Sequence, residues 1–205
     1  KVAVLHDKQS YGQGIAASVR DELKKANVEV ALFEGINAGD SDYSAVITKL
    51  KSAGADFVYY GGYHTEMGLR QAAEQGLKVR MMGPEGVGNP EINAIAGNAV
   101  EGMLVTLPAD PASKPENAAL VKAFKDKGRD ASGAFQMGAY TATQVLAQSI
   151  KAVGDDAEKV ADYLHKTTFN MPTGNVAWDA KGDLKAFDFP VYSWHKDGSK
   201  SVAEK

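Results

Sequence analysis

The sequence predicts a doubly wound, parallel α/β sheet joined to a second set of helices, and three observations predict it. Short, nearly continuous apolar runs alternate with amphipathic stretches from Val2 to Leu107. Polar segments punctuated by Gly separate them. After Leu107 the alternation stops, and helical patterns follow one another with no apolar run between. Short strands that are apolar at both parities suit a parallel sheet covered on both faces, whose crossovers return as helices.

Val2 to His6 reads as the first strand, Asp7 to Gly14 as a loop, and Ile15 to Ala26 as a helix with helical spacing of its apolar residues. The unit recurs as Val28 to Phe33 with Asp42 to Ser52, Phe57 to Tyr60 with Glu66 to Gln75, and Val79 to Gly83 with Pro90 to Ala96. Met103 to Leu107 adds a fifth strand. Pro115 to Lys127, Phe135 to Val153 and Asp156 to Lys166 then read as helices. The middle one carries Phe135, Ala139, Ala142, Leu146, Ile150 and Val153 at steps of three or four, an apolar stripe that calls for burial. Four helices already claim the faces of the sheet. The extra ones serve either a second sheet outside the chain or a small helical subdomain on the sheet edge. From Thr173 strands return, Asn175 to Asp179 and Phe187 to His195, with a turn at Ala180 to Asp183 between them. Pro190 cannot donate to a ladder, which predicts an edge or bulged position for the last strand. Lys196 to Lys205 reads as a polar tail with a turn at Asp197-Gly198.

Composition narrows the function. The 205 residues, 44% hydrophobic and 24% charged, suit one large domain or two small ones with a sizeable core. Lys and Arg number 23 against 26 Asp and Glu, and the net charge of -3 gives a polyanion no general attraction, which disfavours nucleic acid. No apolar run approaches the roughly 18 residues of a membrane span. The chain opens on Lys1-Val2-Ala3-Val4-Leu5 rather than on a signal peptide, so any export signal is expected to have been removed. The absence of Cys excludes disulfides, zinc-thiolate sites and cysteine nucleophiles without fixing a compartment.

Ligands of an open parallel sheet bind beyond the carboxyl ends of its strands, which directs attention to the segments after the first, third and fourth. These present Tyr11, then Gly61-Gly62-Tyr63-His64, then Gly83-Pro84-Glu85-Gly86-Val87-Gly88-Asn89. Glycines beside a carboxylate or an aromatic let the backbone approach a ligand while one side chain projects. Two tyrosines and a carboxylate suit a small cation with an apolar body. Asp7, at a strand end, is expected to cap or pair locally.

Enzyme signatures do not assemble. Gly83 to Asn89 lacks the Lys-Ser/Thr of a phosphate loop and does not open a helix as a dinucleotide fingerprint does. There is no Gly-x-Ser-x-Gly elbow, and the 4 His, at positions 6, 64, 165 and 195, have no ligand-spaced partners, so neither a metal nor a cofactor is implied. Asp7-Lys8 lacks the neighbouring acidic pair that would hold Mg²⁺ beside a phospho-acceptor. His6 reads as a hydrogen-bonded structural residue, Lys122, Lys125, Lys127 and Arg129 as a solvated helix face interleaved with Asp126 and Asp130, and Trp178 and Trp194 as packing residues. Phe135 reads as either a core staple or an apolar lip of a cleft.

Taken together, His6-Asp7-Lys8-Gln9-x-Tyr11-Gly12-x-Gly14, Phe57-Val58-Tyr59-Tyr60-Gly61-Gly62-Tyr63-His64 and Met82-Gly83-Pro84-Glu85-Gly86-Val87 resemble the periplasmic branched-chain amino-acid-binding proteins in order and spacing. Glu101 to Thr106, Asp130-x-Ser132-Gly133-x-Phe135 and Trp178 to Lys185 extend the resemblance almost to the C-terminus. The resemblance implies a type I periplasmic-binding fold with two α/β lobes, a solute receptor for an ABC importer. It implies Glu85 as partner of the ligand ammonium, Tyr63 as a contact near its carboxylate, and Tyr11 and Phe135 as walls for its side chain. Residues 1–107 and 171–205 would form the C-terminal lobe, and the helices of 108–170 would serve the other, mostly absent lobe. An N-terminal segment preceding Lys1, carrying that lobe and the primary ligand site, would be missing, and Glu66 to Gln71 is shorter than the corresponding family stretch. Crossings between lobes are expected near Thr106 to Asp110 and Thr167 to Pro172. The expected partners are a small amino acid (leucine, isoleucine, valine or a similar zwitterion) and a membrane permease, in the periplasm. Two further readings stand beside this one: an amino-acid-sensing ectodomain or engineered sensor fragment of the same fold, and a small α/β enzyme with Glu85 as general base.

Overall fold

The alternation between Val2 and Leu107 is realised as five parallel strands, β1 (Val2–His6), β2 (Val30–Gly35), β3 (Phe57–Gly61), β4 (Arg80–Gly83) and β5 (Leu104–Thr106). Helices α1 (Ser10–Lys25), α2 (Ser44–Ala53), α3 (Glu66–Glu74) and α4 (Glu91–Ala96) connect them. The strand order β2-β1-β3-β4-β5 reverses direction at β1, so the crevice between the carboxyl ends of β1 and β3 is the topological switch point. Side chains alternate across the sheet. On β3, Val58 and Tyr60 join the cluster that contains Ile47 of α2, Leu69 of α3 and Ile92 of α4, while Tyr59 packs with Val4 and with Ala16 of α1. Burial on both faces is the physical reason for the uninterrupted apolar runs, each large buried side chain contributing roughly 1.5–3 kcal/mol.

Two boundaries differ from the sequence reading for identifiable reasons. Helix α1 begins at Ser10 rather than at Ile15, which puts Tyr11 in the first helical turn instead of a loop. Gly12 does not break the helix. A Cβ there would lie 2.5 Å from the Gly61 carbonyl and against the Asp7 carboxylate, so the glycine serves a close helix-strand contact. Strand β2 begins at Val30 because Asn27 and Val28 end α1: Asn27 takes a φ of 57°, its N–H donates to Lys24 O, and Val28 N–H donates to Leu23 O. That pair of bonds is a Schellman cap.

The computed structural model describes residues 1–131 and 135–203, which divide into two units, 1–107 with 190–205 and 108–189. Ser132 and Gly133, part of one of the resemblance motifs, lie outside the described residues. The second unit holds α5 (Ala118–Asp126), α6 (Gln136–Val153), α7 (Ala157–Lys166) and a hairpin of β6 (Phe169–Met171) and β7 (Gly174–Val176). Asp156 caps α7, accepting from Lys159 N–H at 3.0 Å. Residues 171–189 thus group with the helices rather than with the sheet, and the second crossing falls after Phe189 instead of near Thr167 to Pro172. The reason is packing: Phe169 and Met171, with Val176 and Trp178 partly buried, cluster with Val145 of α6 and Tyr163 and Leu164 of α7.

Strands β8 (Val191–Trp194) and β9 (Lys200–Val202) complete the large sheet, β8 pairing antiparallel with β5 and β9 antiparallel with β8. Strand β8 therefore lies inside the sheet and not at its edge. Pro190 stands just before it and uses its carbonyl, accepting from Leu107 N–H at 3.3 Å. The segment read as a tail supplies the outermost strand, reached through the turn expected at Asp197-Gly198. Among the described residues no helix is long and apolar enough to cross a membrane.

Candidate functional site

Parallel strands deliver their carboxyl ends to one edge of the sheet. β1 leads through Asp7 into α1 and Tyr11, β3 leads into Gly62-Tyr63, and β4 leads through Pro84 into a 3-10 turn over Glu85–Val87. The register aligns His6 of β1 with Gly61 of β3, and Tyr59 of β3 with Met82 of β4. The sequence-predicted residues Tyr11, Tyr63 and Glu85 are thereby brought together. The rings of Tyr11 and Tyr63 stack with centroids 5.1 Å apart at 29°, an arrangement that adds about 0.5–1.5 kcal/mol beyond area burial. Tyr63 lies against the backbone of Gly86, where a Cβ would be 2.9 Å from the ring.

Glu85 supplies the charge of the site. Burial first, and then the hydrogen bonding and charge of Glu85, raise the Tyr11 phenol well above the usual tyrosine value. The Tyr59 phenol is pushed up to about 12 by burial and by the same carboxylate. The Tyr11 hydroxyl is buried, and Glu85 is the side chain that acts on it. A carboxylate beside stacked aromatic rings can attract a cation and offer apolar cover to whatever the cation carries.

The supports of these residues are buried. Asp7, 2% exposed, accepts from Gln9 N–H at 2.9 Å and from Tyr63 N–H at 3.3 Å, the local role expected of it. Tyr60 donates through its hydroxyl to Tyr63 O at 2.6 Å. Beneath the turn that carries Glu85, Trp194 Nε1 donates to Val87 O at 3.2 Å, so the late strand β8 holds it in place. His6 Nδ1 accepts from Lys8 N–H at 3.1 Å, which is the structural role expected of it. Sequence reasoning missed Tyr59 and Tyr60 as participants. The available signal was that a Tyr at a buried strand end must find a partner for its hydroxyl. Phe135 stands in the second unit, immediately before α6, and is 59% exposed. Among the described residues no group of three or more His, Cys, Asp or Glu is arranged to hold a metal ion.

A doubly wound sheet that gathers a carboxylate and aromatic rings at the carboxyl ends of its strands has its polar and aromatic groups where ligands of open α/β sheets bind. The chain belongs to the periplasmic binding protein family, whose pattern matches residues 1–199. It is 57% identical over 203 residues to the leucine-, isoleucine-, valine-, threonine-, and alanine-binding protein of Pseudomonas aeruginosa, a match covering 98% of this chain and 54% of that protein. It is 47% identical over 206 residues to the Leu/Ile/Val-binding protein of Escherichia coli strain K12, covering 100% of this chain and 56% of the relative. Among solved structures it superimposes on a leucine binding protein of Thermotoga maritima with a TM-score of 0.85 and 29% identity, covering 99% of this chain and 59% of the other. The fold is shared with a Streptococcus pneumoniae branched-chain amino acid transporter substrate binding protein in complex with isoleucine, at a TM-score of 0.80 and 22% identity, covering 99% of this chain and 59% of that one. The chain spans about half the length of the curated relatives it matches.

Proposed function

We propose that this chain is part of a non-enzymatic solute receptor that binds a branched-chain or similar small amino acid and delivers it, in the periplasm, to the membrane permease of an ABC importer. The observation that carries this reading is the convergence of Glu85, Tyr11 and Tyr63 at the carboxyl ends of β1, β3 and β4. Glu85 pairs with the ligand ammonium, Tyr63 contacts the region of its carboxylate, and Tyr11 walls its side chain. An ammonium taken out of water needs a carboxylate, and an aliphatic side chain needs apolar walls. The names of the relatives, which specify leucine, isoleucine and valine, support the ligand class.

The helices between 108 and 170 are read as contributions to a second lobe, most of which precedes Lys1 in the complete protein. Support comes from α6. Its buried positions are Met137, Thr141, Val145 and Ser149, whereas Leu146 and Ile150 of the apolar stripe are 48% and 46% exposed. A helix that buries one face and keeps an apolar stripe exposed on another has apolar surface left for a further partner. Calorimetry of the complete protein with leucine, isoleucine and valine tests the function. Glu85→Gln is expected to cost about 2 to 4 kcal/mol of affinity, as for one member of a buried charged pair. Unchanged affinity removes Glu85 from the site, and consumption of the amino acid overturns the binding-only reading.

A further inference from the structure

The peptide of Tyr63 is held from both sides by buried groups. Its N–H donates to Oδ2 of Asp7, and its carbonyl accepts from the hydroxyl of Tyr60, which is 0% exposed. The second oxygen of Asp7 accepts from Gln9 N–H, two residues before Tyr11. One carboxylate therefore ties together the two backbone segments that carry the stacked rings. Its enclosure is built for that purpose: Gly62, at a φ of 142°, leaves room where a Cβ would come within 2.5 Å of the Asp7 carboxylate, and Gly12 closes the other side. Backbone N–H groups given to an ionised carboxylate form charge-assisted bonds, roughly twice as strong as neutral ones.

We propose that Asp7 and Tyr60 are positioning residues that set the Tyr11–Tyr63 aromatic wall before the ligand arrives. The proposal rests on the amino-acid-binding reading of the site. Neither residue is offered as a ligand contact; both act through the backbone of Tyr63. Asn at position 7 keeps one acceptor and turns an amide N–H₂ toward a backbone donor, so it breaks one of the two ties while nearly preserving volume. Phe at position 60 keeps the buried ring and deletes only the hydroxyl.

The test uses the complete protein, with leucine as the probe, in a double-mutant cycle. Asp7→Asn is expected to weaken leucine binding about tenfold and Tyr60→Phe about threefold, and both are expected to speed amide exchange at Tyr63 in the ligand-free protein. In a Tyr63→Ala background, the penalty of Asp7→Asn is expected to shrink severalfold. A general loss of stability would instead leave it unchanged. The proposal is overturned if that penalty is the same in both backgrounds, or if exchange at Tyr63 does not respond to either substitution. Should Asp7→Asn fail to fold, Tyr60→Phe alone decides through the same two readouts. Should the wild type bind no amino acid, the functional reading fails, while the exchange measurement still judges the positioning role.

Discussion

The sheet unit encloses Trp194 and Tyr60 completely, whereas the helical unit leaves Phe135, Leu146 and Ile150 about half exposed. In the first, the larger of two clusters runs from Ala3 of β1 to Trp194 of β8 and takes side chains from α2, α3 and α4, and a smaller one packs α1 on the opposite face. In the second, the buried cluster is Val145, Phe169 and Met171, with Tyr163, Leu164, Val176 and Trp178 around it. The difference shows how the sequence distributes its apolar residues. The sheet strands spend theirs within their own unit. Helix α6 spends one face on the β6–β7 hairpin and keeps the other at the surface. The sheet unit carries Tyr11, Tyr63 and Glu85 at the ends of its packed strands, and well-packed elements are where preorganised binding groups are best held.

The sharpest test of the comparison exchanges one Trp from each unit. Trp194→Ala removes a fully buried ring, its bond to Val87 O, and the platform beneath Lys200, whose Nζ lies 3.9 Å from the ring centroid. The expected loss is about 3–5 kcal/mol of stability by chemical denaturation. Trp178 is partly buried and edge-on to Phe169, with centroids 6.1 Å apart, so Trp178→Ala should cost about 1–2 kcal/mol. Equal losses would mean that the helical core is as tightly built as the sheet core, and the contrast would fail.

The same contrast explains which features the sequence made legible. Strand-helix alternation up to Leu107 could be read because the central strands β1 and β3 are buried on both faces, and the carboxyl-end rule pointed to Tyr11, Tyr63 and Glu85, which the fold brings together. Three features escaped. The β6–β7 hairpin is built from three-residue strands, too short to show a period, and β9 is a polar edge strand that pairs only because β8 precedes it. The face of α6 that is buried, Met137-Thr141-Val145-Ser149, mixes polar and apolar residues, while the stripe that looked buried, from Phe135 to Ile150, lies largely at the surface. Thr and Ser can sit inside a helix contact because their hydroxyls bond to their own helix, as Ser149 Oγ does to Val145 O at 2.8 Å.

An intermediate effect is expected where the exposed stripe is made polar. The 205-residue chain presents Phe135, Leu146 and Ile150, apolar surface of the kind that drives association. Sedimentation of this chain should show self-association at micromolar concentration, and Leu146→Gln with Ile150→Gln should reduce it while changing stability by less than about 0.5 kcal/mol. A wild-type chain that stays monodisperse would show that the stripe needs no cover, and the two units would then differ in degree only.

The smallest expected effect belongs to the surface of the sheet unit, where the β8–β9 hairpin is tied down by Glu101. Its Oε2 accepts from Lys196 N–H at 2.8 Å, and its Oε1 lies 3.3 Å from Nδ1 of His195, whose Nε2 is 2.8 Å from Ser201 Oγ. The Lys196 N–H, followed by the His195 side chain, holds the Glu101 carboxyl below the ordinary glutamate range. A carboxylate with a depressed folded-state pKa stabilises the fold above its unfolded-state value, and that contribution is lost as pH falls through the folded-state pKa. The group is exposed, so salt screens the effect and its size is modest. An NMR titration should show the Glu101 carboxyl and the Lys196 amide moving together, with a midpoint below that of an unperturbed glutamate, and Glu101→Gln should remove the acid-side response of Lys196. A midpoint at the ordinary value, or a Lys196 amide indifferent to it, would mean that the hairpin is held by its β5–β8 and β8–β9 ladders alone and that charge plays no part in anchoring it.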